Sequence, residues 1–186
     1  MVPIAALWLP VLLSAVACFV ASSVIHMFLG YHQADYGKVP QEDAVMEALR
    51  KFAIPPGDYH MPRPGSRADL GSPEFKEKVK RGPNVMMTVM TGDFAMGKRF
   101  AGWFVYLIVV GIFAAYIAGH ALAPGAPGRA VFRFVGAVAF IAYGVALWQL
   151  SIWYERSWAT TLRSNLDALI YAVITAGIFV WLWPHA

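Results

Sequence analysis

The 186-residue chain is 59% hydrophobic and 14% charged, with a formal net charge of +4. Long charge-free runs alternate with one polar block, which argues against an ordinary soluble domain and predicts a polytopic membrane protein. The single cysteine, Cys18, excludes an intramolecular disulfide and any metal site built from several cysteines. The basic residues lie beside the hydrophobic spans, where membrane topology accounts for them, so we do not expect nucleic-acid binding.

The first hydrophobic span covers residues 4–29 and is long enough to cross a bilayer. No lysine or arginine precedes Lys38, whereas a secretory signal has a basic start and a shorter apolar core, so we expect a retained transmembrane helix. Small or polar side chains recur at every fourth position, at Ser14, Cys18, Ser22 and His26. This spacing places them in one stripe along a helix, and we expect the stripe to face protein.

The polar block, residues 31–99, contains short elements. A short amphipathic helix is predicted with Pro40 in its first turn, and a second short helix is predicted between an N-cap at Ser72 and a stop at Gly82. The β-prone residues 84–91 are expected to pair with residues 58–61 as a small β-hairpin. The predicted organisation is therefore a transmembrane helix (1–30), an extramembrane block (31–99) and a further transmembrane part (100–186).

Three more spans are predicted, at residues 100–123, from 130 or 134 to 153, and 162–183. Each carries a stripe of mainly small residues that would permit close helix approach. The stripes comprise Gly111, Ala115 and Gly119; Gly136, Phe140 and Gly144; and Ser164, Ala168, Ala172 and Ala176. The predicted fold class is an all-α integral membrane protein, a four-transmembrane-helix bundle with a cytoplasmic block of short helices and a small β-hairpin between helices 1 and 2.

The orientation follows from the basic residues near the span ends. One side of the membrane holds Lys38, Lys98, Arg99, Arg156 and Arg163, and the other holds Arg129 and Arg133. The positive-inside rule then predicts a cytoplasmic polar block with both chain termini external.

Polar side chains gather where spans one, three and four meet the predicted cytoplasmic face. One interpretation is an interhelical network of hydrogen bonds and ion pairs, in which Arg163 is the i−4 partner of Asp167. Its expected members are His26, Gln149, Glu155, Arg156, Arg163, Asn165 and Asp167. The same face could instead bind a small anionic ligand or a lipid headgroup through Arg156, Arg163 and the basic residues of the block.

A third interpretation is a metal site built from His26, His32, Asp35 and Glu155, because imidazole and carboxylate ligands suit zinc, iron or manganese. His26 and His32 are six residues apart and can share a metal only if the helix ends between them, which Gly30 permits. We do not expect haem, because His26 and His120 are placed at opposite ends of the spans.

No nucleotide-binding, serine-hydrolase or zinc-protease motif is present in the sequence. The tryptophans near span ends, Trp103 and Trp183 among them, are interpreted as interface anchors. With no catalytic motif and several small-residue stripes, we expect a non-enzymatic accessory or structural subunit, in contact with the bilayer and with other membrane subunits or a second copy. The alternative is a membrane protein that binds a metal or small ligand at the cytoplasmic face. A small transporter is a weaker third hypothesis, because the two halves of the chain do not resemble each other.

Four segments of the sequence also carry a resemblance: SSVIHMFLGYHQADYGKVP, EDAVMEALRKFAIPPGDYHMPRPG, SPEFKEKVKRGPNVMMTVM and WQLSIWYERSWATTLRSNLDALIYAVITAG. Together they resemble a family of uncharacterised bacterial inner-membrane proteins. The resemblance implies a bacterial origin and a retained first helix, and it implies no catalytic residues.

Overall fold

The computed structural model describes residues 1–92 and 95–185. Most of the chain is helical: α1 (Trp8–Phe28), α2 (Glu42–Arg50), α3 (Pro73–Arg81), α4 (Met96–Ala121), α5 (Gly128–Tyr143), α6 (Trp148–Trp153) and α7 (Trp158–Trp181). Strands β1 (Gly57–Met61) and β2 (Val85–Val89) form a two-stranded sheet, and short 3-10 turns include Ile4–Leu7, Gln33–Asp35 and Val145–Leu147. Within the described residues the chain divides into two compact units, residues 1–37 with 95–185, and residues 38–92.

Four helical segments of the first unit are long and apolar enough to cross a membrane: Ile4–Phe28, Met96–Ala121, Gly128–Trp153 and Trp158–Trp181. This confirms the four predicted spans and the multi-pass character of the chain. Helix α1 packs on α4 and α7, and α5 also packs on α4 and α7, so each long helix has two helical neighbours. The outward side chains are largely apolar, as a lipid-facing surface requires; examples are Val20, Val105, Phe113 and Ile141.

Spans two and four begin four residues earlier than hydropathy predicts, at Met96 and Trp158. Hydropathy marks the apolar part of a helix, whereas the first turn of a membrane helix can be polar and lie at the interface. Lys98 and Arg99 are therefore helical, and Asp167 lies nine residues after the start of α7.

The third span is interrupted where it crosses the fourth. Helix α5 ends at Tyr143, and a 3-10 turn leads into α6. A Cβ added to Gly144 would lie 2.9 Å from the Cβ of Ala168 and 3.0 Å from Oδ1 of Asn165. The close approach of Ala168 and Asn165 therefore favours glycine at this position.

The small residues of span two also lie at helix contacts, as predicted. Gly111 and Gly119 are buried against the first span. A Cβ at Gly111 would lie 3.2 Å from a methyl carbon of Val11, and one at Gly119 would lie 2.6 Å from the carbonyl oxygen of Val2. The Val2 amide donates to the Gly119 carbonyl at 2.8 Å, which fastens the chain start to the far end of α4.

The second unit contains the predicted hairpin and both short helices. Strands β1 and β2 are antiparallel, with Tyr59 opposite Met87. Ser72 caps α3 by accepting a hydrogen bond from the Phe75 amide at 3.1 Å, as predicted. The helix ends at Arg81, directly before the predicted stop at Gly82. The expectation that Pro40 lies in the first turn of α2 is wrong, because the helix begins at Glu42 and Gln41 has φ +52°.

Candidate functional site

A tight turn after α1 builds one end of the first unit. The helix ends at Phe28, and Gly30 adopts φ +63°, a conformation that favours glycine. A short 3-10 turn, Gln33–Asp35, follows. This change of direction places Tyr31, His32 and Asp35 beside α7 instead of continuing the helix.

Asp167 of α7 receives two side chains from this turn. The Tyr31 hydroxyl donates to Oδ1 of Asp167, and Nε2 of His32 lies 2.8 Å from Oδ2. Asp167 is only 5% exposed. A buried carboxylate is costly unless its oxygens are hydrogen-bonded, and these two contacts satisfy one oxygen each.

Asp35 lies on the other side of the His32 ring. Its Oδ2 is 2.6 Å from Nδ1 of His32, and its Oδ1 accepts a hydrogen bond from the Arg163 guanidinium at 2.6 Å. A carboxylate can only accept, so two ionised carboxylates require both His32 nitrogens to donate, and the ring is then an imidazolium. The charges of Asp35, Asp167, Arg163 and His32 then sum to zero.

Two titratable groups of the turn, Asp35 and Tyr31, respond to this environment. Burial alone would raise the pKa of Asp35, but hydrogen bonds and charge attraction from His32 and Arg163 outweigh it, so the pKa is lowered. Burial raises the pKa of Tyr31, and the neighbouring Asp167 and Asp35 raise it further because a phenolate would face negative charge. Both shifts favour an ionised Asp35 and a neutral Tyr31 that donates its proton.

His26 approaches the same point from the last turn of α1. Its ring stacks on that of His32, with centroids 4.6 Å apart and an interplanar angle of 4°. Its Nδ1 lies 2.9 Å from the Ser22 carbonyl oxygen, and a carbonyl can only accept, so Nδ1 carries the hydrogen. His26 was expected to face protein with the rest of its stripe; it does lie against His32 and near Asp167, but the residue is exposed instead of buried.

His26, His32 and Asp167 form a group able to hold a metal ion. One ligand atom from each lies within 4.8 Å of the others. Both Nδ1 atoms have acceptors, Ser22 and Asp35, so coordination would use the Nε2 atoms; Nε2 of His32 bonds Asp167, and an ion would have to replace that hydrogen bond. A carboxylate on the second nitrogen of a histidine is the usual arrangement around metal-binding histidines, and Asp35 provides it for His32.

The structure groups the predicted residues differently from the sequence analysis. Arg163 binds Asp35, so its predicted pairing with Asp167 is wrong. The same ion pair occupies the guanidinium that was considered for an anion site. Glu155, a predicted metal ligand, is exposed between α6 and α7 and lies outside the His26–His32–Asp167 group. Asp35 is likewise outside that group and acts through His32.

The remaining members of the predicted network lie elsewhere. Gln149 is exposed, and within residues 1–92 and 95–185 no side-chain hydrogen bond joins it or Glu155 to the group. Arg156 is half-buried, and its backbone amide donates to Leu150. Asn165 bonds the Trp148 indole at 3.1 Å and the Thr161 carbonyl at 2.8 Å, so it fastens α6 to α7.

The structure places two tryptophans differently from the sequence prediction. Trp103 is not an interface anchor: its indole nitrogen donates to Ser22 Oγ at 2.9 Å, and its ring lines an open pocket between the spans. Trp183 is buried and donates to the Ala123 carbonyl at 3.1 Å, so it is not an exposed anchor either. Tyr31 was left out of the predicted network, although it lies between Gly30 and His32 in the sequence, in the polar patch where the first span ends.

Comparison with known proteins identifies no relative: no protein family matches the chain, and neither a curated protein nor a solved structure matches it. The resemblance drawn from the four sequence segments therefore stays a prediction.

Proposed function

We propose that this multi-pass membrane protein binds a divalent transition metal ion, zinc being the best match, through His26, His32 and Asp167. The observation that carries the proposal is the convergence of three ligand atoms within 4.8 Å. Two imidazole nitrogens and one carboxylate oxygen are a donor set that zinc and ferrous iron accept.

Hydrogen bonds already orient both imidazoles for such a role. The Ser22 carbonyl holds Nδ1 of His26, and Asp35, itself bound by Arg163, holds Nδ1 of His32. Ligands around one zinc ion, with bonds of about 2.0–2.1 Å, lie about 3.3 Å from one another, so the group has to contract. His26 is exposed and on the outside of the group, so its side chain can move inward.

Binding would replace the hydrogen bond between His32 and Asp167. The ion would take Nε2 of His32 and Oδ2 of Asp167 as ligands, and the proton between them would be released. Three protein ligands leave a coordination position for water or another molecule, unlike the closed four-ligand sites of structural zinc. The proposal is therefore an open metal site at the membrane face where α1 ends.

The test is zinc binding by the purified full chain in detergent, after removal of metal with EDTA. We expect about one zinc per chain, as for a single site. His26→Ala should reduce the affinity for zinc while leaving the fold intact, because His26 is exposed and its side-chain hydrogen bond stays within its own helix. His120→Ala is the matched control: His120 also bonds the carbonyl of the residue four positions earlier, at the far end of α4.

The absence of zinc binding at micromolar free zinc, or equal affinity in the wild type and the His26→Ala variant, would overturn the proposal. X-ray absorption of the zinc-loaded wild type provides a measurement that needs no variant. It should show nitrogen and oxygen ligands at about 2.0–2.1 Å. Sulfur at about 2.3 Å would contradict the ligand set.

We also propose that the protein lies in a bacterial inner membrane, with both termini external and the 31–99 block cytoplasmic. Support comes from the basic residues near the span ends and from the sequence resemblance. The accessory-subunit hypothesis stays a prediction, because exposed apolar helix faces can contact lipid or a partner helix alike. Stoichiometric partners that co-purify from native membranes would support it independently of metal.

A further inference from the structure

The second unit buries almost none of its side chains. Among its described residues, 38–92, only Pro62 is buried. Helix α2 shows this most clearly, since none of its residues is buried and it takes no part in the main packing contacts between the described helices and strands. Short helices in proteins are held mainly by the packing of an apolar face, so the apolar face of α2 calls for a surface outside the described chain.

Helix α2 carries four apolar side chains in one short stretch. Val45, Met46 and Leu49 lie on one side of the helix by their spacing, and each is between 39% and 47% exposed. A turn closed by the bond from the Phe52 amide to the Leu49 carbonyl at 3.1 Å adds Phe52, which is 73% exposed. These four residues are called the α2 apolar face below. A contiguous apolar patch of this kind marks a contact with a membrane or another protein.

The charged side chains of α2 lie mostly on the opposite side. Arg50 donates to Glu47 at 2.7 Å, and both are exposed, so they pair with each other in water. Helical spacing places Asp43 and Lys51 on the same side. Glu42 is the exception, but it lies in the first turn, where a carboxylate suits the helix dipole. One apolar and one charged side are typical of helices that lie in the plane of a membrane surface.

The bilayer is the surface that the chain itself brings within reach of α2. Span one ends at Phe28, and Asp35 in the turn after it is bound by Arg163 near the start of α7. Only residues 38–41 separate α2 from the first unit, and four residues extend over at most about 14 Å. The α2 apolar face is therefore continuous, along a short connection, with a span whose outward side chains suit lipid.

A protein partner or a second copy fits the α2 apolar face less well. A stable protein interface usually takes about 20–30 residues from each side, whereas this face comprises four side chains. A lipid surface has no such minimum for a helix that a span already holds beside it, because the contact is then intramolecular in effect. Lys38 and Lys51 flank the helix, and lysine side chains can extend to headgroups while their stems stay on apolar surface.

We infer that α2 is an interfacial helix, which lies on the bilayer surface with Val45, Met46, Leu49 and Phe52 among the lipid chains. Glu47 and Arg50 then remain in water, where they pair. This contact anchors the start of the second unit at the membrane. The inference goes beyond the metal proposal and is independent of it, because no residue of the His26–His32–Asp167 group belongs to α2.

The test is the accessibility of a nitroxide label on the full chain in nanodiscs of equal parts phosphatidylcholine and phosphatidylglycerol. The label is attached to Met46→Cys in a Cys18→Ala background. We expect it to be more accessible to oxygen, which concentrates in lipid, than to a water-soluble nickel chelate. Glu47→Cys is the matched control, on the next residue and on the charged side, and it should show the reverse order. The chain that keeps Cys18, which is buried, provides a second background.

Leu49→Asp in the labelled Met46→Cys chain should move the label toward the nickel chelate, because a carboxylate among lipid chains is costly. Greater access to the chelate than to oxygen at position 46 without Leu49→Asp would place the α2 apolar face in water and overturn the inference. Low access to both reagents would place it against a partner protein or a second copy, and would overturn the inference too. The protein is treated with EDTA throughout, so the outcome is independent of zinc binding.

Discussion

Asp35 and Arg163 lie 128 residues apart in the chain and are joined by an ion pair in which a guanidinium nitrogen is 2.6 Å from a carboxylate oxygen. The pair fastens the turn after the first span to the start of the fourth. Since Asp35 also binds Nδ1 of His32, the same contact determines how that ring faces Asp167. A fold-stabilising pair thus also orients a proposed metal ligand.

The first prediction concerns Asp35 as the support of His32. Asp35→Asn should weaken zinc binding about 10- to 100-fold, the usual cost of losing a carboxylate behind a metal-binding histidine. The amide keeps the size of the side chain but removes the charge that favours the Nδ1–H bond. Zinc affinity is measured by competition with a chelating dye.

Asp43→Asn is the control, because Asp43 is an exposed residue in the first turn of α2 in the second unit. It should leave zinc affinity unchanged. If Asp35→Asn behaves like Asp43→Asn, Asp35 does not act through His32.

The second prediction concerns Tyr31, which donates to the buried carboxylate of Asp167. Tyr31→Phe should destabilise the protein by about 1–3 kcal/mol, because one oxygen of a buried acceptor is left unpaired. The midpoint of unfolding in mixed micelles of increasing SDS content reports this loss. Tyr36→Phe, at a residue that is 84% exposed, should have no effect. Equal midpoints for the two variants would show that Asp167 does not need the Tyr31 hydroxyl.

Local signals in the sequence were sufficient for much of the fold. The spans follow from length and hydropathy, and α3 follows from Ser72 and Gly82, because caps and stops act within a few residues. The hairpin was predicted from the β-prone residues 84–91, paired with residues 58–61 of an extended stretch rich in proline and glycine. The spans and the ends of α3 depend on neighbours in the chain, so a single sequence reveals them.

The site was only partly predictable, because its contacts depend on the direction of the turn at Gly30 and on the rotation of each span. Asp167 and Arg163 are one turn apart on α7, and local spacing favours their pairing. Tertiary contacts instead assign Asp167 to Tyr31 and His32, and Arg163 to Asp35. The contacts of Glu155 could not be predicted from local spacing either, since its position near a span end did not reveal the direction of its side chain.

The third prediction concerns membrane topology. A reporter fused after His185 should be active on the external side, and one inserted near Gly71 should be active in the cytoplasm. The physical reason is the excess of Lys38, Lys98 and Arg99 near the span ends on the side of the block. A phosphatase that folds only outside the cytoplasm and a fluorescent protein that folds only inside give opposite responses at each site. Reversed responses at both sites would overturn the orientation and leave the four spans unaffected.

The last prediction concerns the close approach between Gly119 and the chain start. A Cβ at Gly119 would lie 2.6 Å from the carbonyl oxygen of Val2, which is a backbone atom and cannot rotate away. Gly119→Ala should therefore break the hydrogen bond from the Val2 amide and destabilise the protein by about 1–3 kcal/mol, the usual cost of overpacking. The melting temperature in detergent measures the effect. Gly177→Ala is the matched control: Gly177 is also inside a spanning helix, but nothing lies within 4 Å of an added Cβ. That variant should be neutral or up to about 1 kcal/mol more stable, because alanine favours the helix. If both variants melt at the same temperature, the start of the chain does not pack on Gly119, and the small-residue stripe of α4 does not hold the first span at that end.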